Sequence, residues 1–142
     1  MNFPVARAPG CMECSPSMPE RARILIVDDV EDNREMYAEY LRFTGFHVAT
    51  AANGEDGLAQ ALADPPDVVV ADLTMPRLDG WALASALRRD PRTQQTLVLV
   101  LSGHALSGAE EGARKAGAHS FLTKPCLPEA LAAEVNRLLR LV

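Results

Sequence analysis

The sequence predicts a doubly wound α/β domain: a five-stranded parallel sheet in the order 2-1-3-4-5 with helices on both faces. From Arg21 onward, strand-like and helix-like segments alternate five times with short connections. Three of the strand-like runs are unbroken apolar stretches, Ile24-Leu25-Ile26-Val27, Val68-Val69-Val70-Ala71 and Leu97-Val98-Leu99-Val100-Leu101. Such runs belong to central parallel strands buried on both sides. A chemical observation points the same way: Asp28-Asp29 closes the first run and Asp72 the second. In parallel neighbours, all three acids come to one edge of the sheet.

Taken in order, residues 1 to 20 hold four of the ten prolines with Gly10, Ser15 and Ser17 and show no periodicity. They are expected to be a flexible tail ahead of one domain over residues 21 to 142. The Cys11 and Cys14 pair in this tail lacks the second pair that zinc wants and the strand-to-helix setting of a redox site, so it reads as two reduced thiols. Cys126 reads as a small buried residue. The first helix carries Met36, Tyr37, Tyr40 and Leu41 on one stripe and stops at Gly45. Phe46 to Thr50 alternates apolar and polar, as an edge strand does. A second helix starts at Asn53, a good N-cap, and ends before Asp64-Pro65-Pro66. Asp79 can cap a third, through Trp81, Leu83 and Leu87, ending before Pro91.

A fourth helix is expected from about Ala105 to Gly117. Gly108 and Gly112 each cost about 1 kcal/mol against Ala there, and Leu106 is its one bulky apolar residue, so it should be the mobile element. Ser107 to Glu110 offers a competing capping-box start. Gly112 has a second reading, as a residue that permits close packing. Ser120-Phe121-Leu122 is short, as at the other sheet edge. The last helix opens near Pro128 and presents Leu131, Val135, Leu138 and Val142 on one stripe.

Composition excludes some functions. The chain has 142 residues, 48% of them apolar, and a net charge of -5. No Lys/Arg run exceeds two residues, so the electrostatic footprint of a nucleic-acid binder is missing. No apolar stretch reaches the roughly 18 residues of a membrane span, and the N-terminus lacks the apolar core of a secretory signal. A cytoplasmic location is expected, without membrane or direct nucleic-acid partners.

In an open α/β sheet, ligands bind beyond the carboxyl ends of the strands where the order reverses, here between strands 1 and 3. Asp28, Asp29 and Asp72 lie at those ends, and Ser102 and Lys124 at the ends of the next two strands. Like charges a few ångströms apart repel, and a hard divalent cation resolves the conflict. Oxygen-only ligands favour Mg²⁺, which favours a phosphoryl group as a further ligand.

The acidic pair Asp28-Asp29, the stretch Asp72-Leu73-Thr74-Met75-Pro76 followed by Asp79-Gly80, the Ser102-Gly103 step and Lys124-Pro125, in this order, resemble the receiver domains of two-component response regulators. The likeness runs from Arg23 to about Leu139. It implies a flavodoxin-like fold in a single-domain, stand-alone form. It also implies that Asp72 accepts a phosphoryl group from a histidine kinase or histidine phosphotransferase. Asp28, Asp29, Asp72 and the Thr74 backbone carbonyl would hold Mg²⁺, Asp28 through water, and Lys124 and Ser102 would bind the phosphoryl group. The resemblance further implies a cis Lys124-Pro125 bond, a switch role for Ser102 and Phe121, and tuning of phosphoryl loss by Thr74 and His104. The downstream partner is unknown, and the resemblance leaves open whether phosphorylation drives homodimerisation.

Blander readings compete. Asp29 has a helix N-cap role available to it, and Phe121 a packing role. His47 and His119 read as surface strand positions without a role. A phosphohydrolase of the haloacid dehalogenase type also uses Asp and Mg²⁺ after a strand, but its phosphatases want an acid two residues on, where Thr74 stands. A pseudo-receiver that binds partners without taking phosphate is the remaining alternative; the complete acid set and Lys124 argue against it.

Overall fold

The structure, a computed structural model, describes residues 22–73, 78–103, 112, 115–124 and 126–140. Its strands are β1 (Arg23–Val27), β2 (His47–Ala51), β3 (Val68–Asp72), β4 (Leu97–Ser102) and β5 (Ser120–Thr123). They pair in parallel in the order β2-β1-β3-β4-β5. The helices are α1 (Glu31–Phe43), α2 (Gly54–Ala63), α3 (Gly80–Arg89) and α4 (Pro128–Leu139). This is the doubly wound, flavodoxin-like order expected from the apolar runs.

Alternation along each strand divides the core in two. Ile24, Ile26, Val68, Val70, Leu99 and Leu101 pack with Tyr37, Ala38 and Leu41 of α1 and Leu131, Val135 and Leu138 of α4. Leu25, Val27, Val69, Ala71, Val98 and Val100 pack with Ala61 of α2 and with Leu83 and Leu87 of α3. Each fully buried Leu or Val contributes about 1.5–3 kcal/mol relative to exposure, and together they fix the strand ends that present the acids.

The helix ends follow their local chemistry. Asn53 Oδ1 accepts the Asp56 N–H at 2.8 Å, and Asp79 Oδ1 accepts the Ala82 N–H at 2.8 Å. α1 ends at Gly45, whose φ of 111° few residues but glycine tolerate. α1 is different at its start: its N-cap is Val30, with no side-chain cap, so Asp29 does not serve that role. Instead the Val30 N–H donates to Asp28 Oδ1 at 2.9 Å. At the free edge of β2, Arg42 donates to the Val48 carbonyl and Gln60 to the Thr50 carbonyl, each at 3.0 Å, which blunts the edge against pairing.

Two expectations need correction. The buried stripe of α1 is Tyr37, Ala38 and Leu41, while Met36 is 42% exposed, because a stripe centred between 37 and 41 turns position 36 to the flank. Trp81, which the third helix is expected to run through, is partly exposed on the rim of α3. His119 precedes β5 and is not a strand residue; its Nδ1 accepts the Val98 N–H at 3.0 Å and so replaces a carbonyl at the base of the β4–β5 pairing.

Of the segment between β4 and β5, Gly112 and Lys115 are helical, Ala116 N–H donates to the Gly112 carbonyl at 3.0 Å, and Gly117, with φ 105°, ends the turn. A Cβ at Gly112 would lie 2.9 Å from the Trp81 ring, so the close-packing reading of this glycine holds. Residues 104–111, with the Gly108, Leu106 and Ser107 readings, lie outside the described residues, as do Cys11, Cys14, Thr74, Pro125 and Val142.

Candidate functional site

Strand register builds the site. Val27 pairs with Ala71, so Asp28 and Asp72 follow side by side, and Asp72 pairs with Leu101. One step further Ser102 pairs with Thr123, which sets Lys124 just beyond it. Carboxylate oxygens of Asp28, Asp29 and Asp72 lie within 4.8 Å of one another. Asp28 and Asp72 are buried, at 2% and 8% exposure, whereas Asp29 is exposed.

Lys124 Nζ reaches Asp72 Oδ2 at 3.1 Å and Asp28 Oδ2 at 3.4 Å. Burial pushes the Asp28 carboxyl above its ordinary range and the Asp72 charge adds to this, while the Val30 N–H and the Lys124 ammonium oppose it. Burial also opposes the charge on Lys124, but its hydrogen bond to Asp72 and the charges of Asp28 and Asp72 outweigh it, so the ammonium is held above its usual pKa. The lysine therefore stays a cation at neutral pH. It does not balance three acids.

Backbone geometry brings these groups together. Gly80 N–H donates to the Leu73 carbonyl at 3.0 Å, and a Cβ on Gly80 would fall 2.9 Å from the Asp72 carbonyl oxygen. Only a residue without a side chain lets α3 start this close to the end of β3. The Lys124 N–H donates to the Ser102 carbonyl at 2.7 Å, which ties the lysine to β4. Ser102 is buried at 1% exposure, and Phe121 is half-buried, packing on the α3 side of the sheet. Thr74, His104 and Pro125 lie outside the described residues.

Sequence reasoning missed two side chains. Arg34 Nη1 donates to the Asp28 carbonyl at 2.8 Å, bracing the turn that carries the acids. Tyr37, read only as core, donates its hydroxyl to the Cys126 carbonyl at 2.7 Å, two residues beyond Lys124. Their spacing of three on a helix puts both on neighbouring positions, but neither carbonyl partner has a signature in sequence.

The donors of the acid cluster are all carboxylate oxygens, which suits a hard cation of the Mg²⁺ class. Five parallel strands in this order, an acid pocket at the carboxyl ends of the two central ones and a lysine from beyond the last define a receiver. The chain belongs to the response regulator receiver domain family, which it matches over residues 24–136. It is 36% identical over 119 residues to response regulator PleD of Caulobacter vibrioides, covering 84% of this chain and 26% of PleD. It is 35% identical over 118 residues to protein PilH of Pseudomonas aeruginosa, covering 83% of this chain and 98% of PilH. Chemotaxis response regulator CheY4 of Vibrio cholerae superposes with a TM-score of 0.79 at 31% identity, covering 83% of this chain and 98% of that one. The chain thus spans about a quarter of PleD and nearly the whole of PilH.

Proposed function

We propose that this receiver is a phosphoryl-accepting switch whose acceptor is Asp72, charged by the phosphohistidine of a histidine kinase or histidine phosphotransferase. The observation that carries this reading is the Lys124 ammonium 3.1 Å from Asp72 Oδ2, in a pocket that also holds Asp28 and Asp29. A carboxylate oxygen of Asp72 attacks phosphorus, the O–P bond of an acyl phosphate forms, and the P–N bond to the partner's imidazole breaks. Lys124 moves its ammonium from the carboxylate to a phosphoryl oxygen, and Ser102 donates its hydroxyl to another. Asp28, Asp29 and Asp72, with the Thr74 backbone carbonyl, would hold Mg²⁺. Bound there, the metal offsets the charge that the entering phosphoryl group adds to an anionic pocket.

On this reading the chain is a phosphoacceptor with slow self-chemistry rather than a turnover enzyme. It signals from the cytoplasm through an unidentified downstream protein or as a relay intermediate, with Ser102 and Phe121 as the switch pair. The domain spans residues 21 to 142 and residues 1 to 20 form its tail. Thr74 and His104 tune the lifetime of the acyl phosphate, so His104→Glu or Thr74→Asn should alter its half-life. No helix among the described residues is long and apolar enough to cross a membrane.

The test is labelling by acetyl phosphate. We expect one phosphoryl group, acquired only with Mg²⁺ present and absent from Asp72→Asn. Labelling that survives chelation, or persists in Asp72→Asn, sends the acceptor role elsewhere, and no labelling of the wild type favours the pseudo-receiver.

A further inference from the structure

The geometry points to Tyr37 as a positioning residue for Lys124: its hydroxyl, held at the Cys126 carbonyl, fixes the loop from which the lysine reaches the acids. The inference rests on the phosphoryl-acceptor reading of the site. Tyr37 lies on α1 with its ring in the core, 3% exposed, and its hydroxyl donates to the Cys126 carbonyl at 2.7 Å across 89 residues of sequence. A tyrosine has only two side-chain torsions, and packing of the ring fixes both, so the hydroxyl sits at the end of a rigid strut.

The loop it meets needs such a strut. β5 ends at Thr123, and α4 begins at Pro128 with Leu127 as an N-cap that makes no side-chain hydrogen bond. Between them Lys124 is tied upstream, where its N–H donates to the Ser102 carbonyl, and Tyr37 ties the chain downstream. The lysine stem has four rotatable bonds, and the ammonium must lie 3.1 Å from one carboxylate and 3.4 Å from another. With a long side chain, that placement is only as good as the fixity of its Cα. α1 thereby serves both halves of the pocket, since Arg34, one turn earlier, holds the Asp28 carbonyl.

The roles separate experimentally because the Tyr37 hydroxyl bonds the lysine loop, whereas the carbonyl of the acid-bearing turn is held by Arg34. Tyr37→Phe keeps the ring and removes the strut. Mg²⁺ affinity measured by calorimetry should stay within about two-fold of wild type, while the rate of Asp72 labelling by acetyl phosphate falls by about ten-fold, the size of one hydrogen bond's net contribution. Leu41→Val, on the same helix and in the same core, serves as a control for mere loss of stability: it should lower the melting temperature without slowing labelling. By NMR, the Lys124 Cε and Nζ resonances should move in Tyr37→Phe toward those of an exposed lysine. Labelling of Tyr37→Phe within two-fold of wild type, or slowed equally by Leu41→Val, overturns the inference. If the wild type takes no label, the function proposed above fails, and the Lys124 resonances still decide this one: unchanged in Tyr37→Phe, they refute the strut.

Discussion

The indole of Trp81, on the first turn of α3, lies against Gly112, so closely that a methyl group there would come within 2.9 Å of the ring. The contact links α3, which begins beside Asp72, to the segment that follows β4. Trp81 is also the only tryptophan of the chain. Its fluorescence therefore reads the position of that segment directly.

This contact reverses what helix propensity alone predicts for Gly112→Ala. Replacing a helical glycine should stabilise by about 1 kcal/mol, but the added methyl must displace the Trp81 ring. We expect a lower melting temperature and a red-shifted Trp81 emission. In a Trp81→Leu background the obstacle is gone, and Gly112→Ala should become neutral or stabilising. An unchanged emission in the single variant would show that the ring does not touch Gly112.

The acid cluster predicts a stability that depends on metal and on pH. The folded state raises the Asp28 pKa, so the stability this group contributes is fully present below its unfolded value near 3.8 and is lost as pH rises through the folded value. At neutral pH without metal the cluster is therefore a liability. Asp28→Asn should raise the melting temperature of the metal-free protein, and exposed Asp29→Asn should do so less. At ten times its dissociation constant Mg²⁺ should stabilise the wild type by about 1.4 kcal/mol. A melting temperature indifferent to Mg²⁺ and to Asp28→Asn alike would mean that the carboxylates do not share a pocket.

Much of this arrangement was legible in the sequence, and the reasons are physical. Ile24 to Val27, Val68 to Ala71 and Leu97 to Leu101 could only be doubly buried parallel strands, and once they are neighbours Asp28, Asp29 and Asp72 must converge. Asn53 and Asp79 announce their helices because an N-cap acts within three residues. What stayed hidden depends on contacts across the fold. Tyr37 looks like any core aromatic until the Cys126 carbonyl is seen at its hydroxyl, and His119 like any polar edge residue until Val98 lies beside it. The place of Trp81 on the rim of α3, against Gly112, is likewise set by a contact across the fold.

Gly80 offers a test of how tightly the site is built. A Cβ there meets the Asp72 carbonyl oxygen and the Leu73 Cα, both at 2.9 Å, and backbone cannot rotate away as a side chain could. Gly80→Ala should cost about 1–3 kcal/mol through overpacking and, by moving the end of β3, weaken Mg²⁺ binding as well. Calorimetric titration of the folded variant would show the second effect. Wild-type affinity in Gly80→Ala would mean that α3 can retreat without carrying Asp72 along.

His119 should make stability fall in mild acid. Burial first, and then the nearby Arg88 charge, lower its pKa below the ordinary 6.5, and its Nδ1 must give up the Val98 N–H to take a proton. The unfolded chain therefore binds the proton more readily, so the stabilisation is complete above about pH 6.5 and is lost as pH falls from there through the folded pKa. Asp28 acts in the opposite sense as pH falls, so the measurement belongs in the Asp28→Asn background. There the melting temperature should drop as pH goes from about 7 to 5. His119→Asn places an amide oxygen near the Nδ1 position and has no proton to gain, so it should keep most of the stability and flatten this slope. His119→Ala leaves the Val98 N–H without its acceptor and should cost about 1 kcal/mol above about pH 6.5, a difference that shrinks in acid as the wild type loses the same bond. If His119→Asn retains the full wild-type slope, another group is responsible for it.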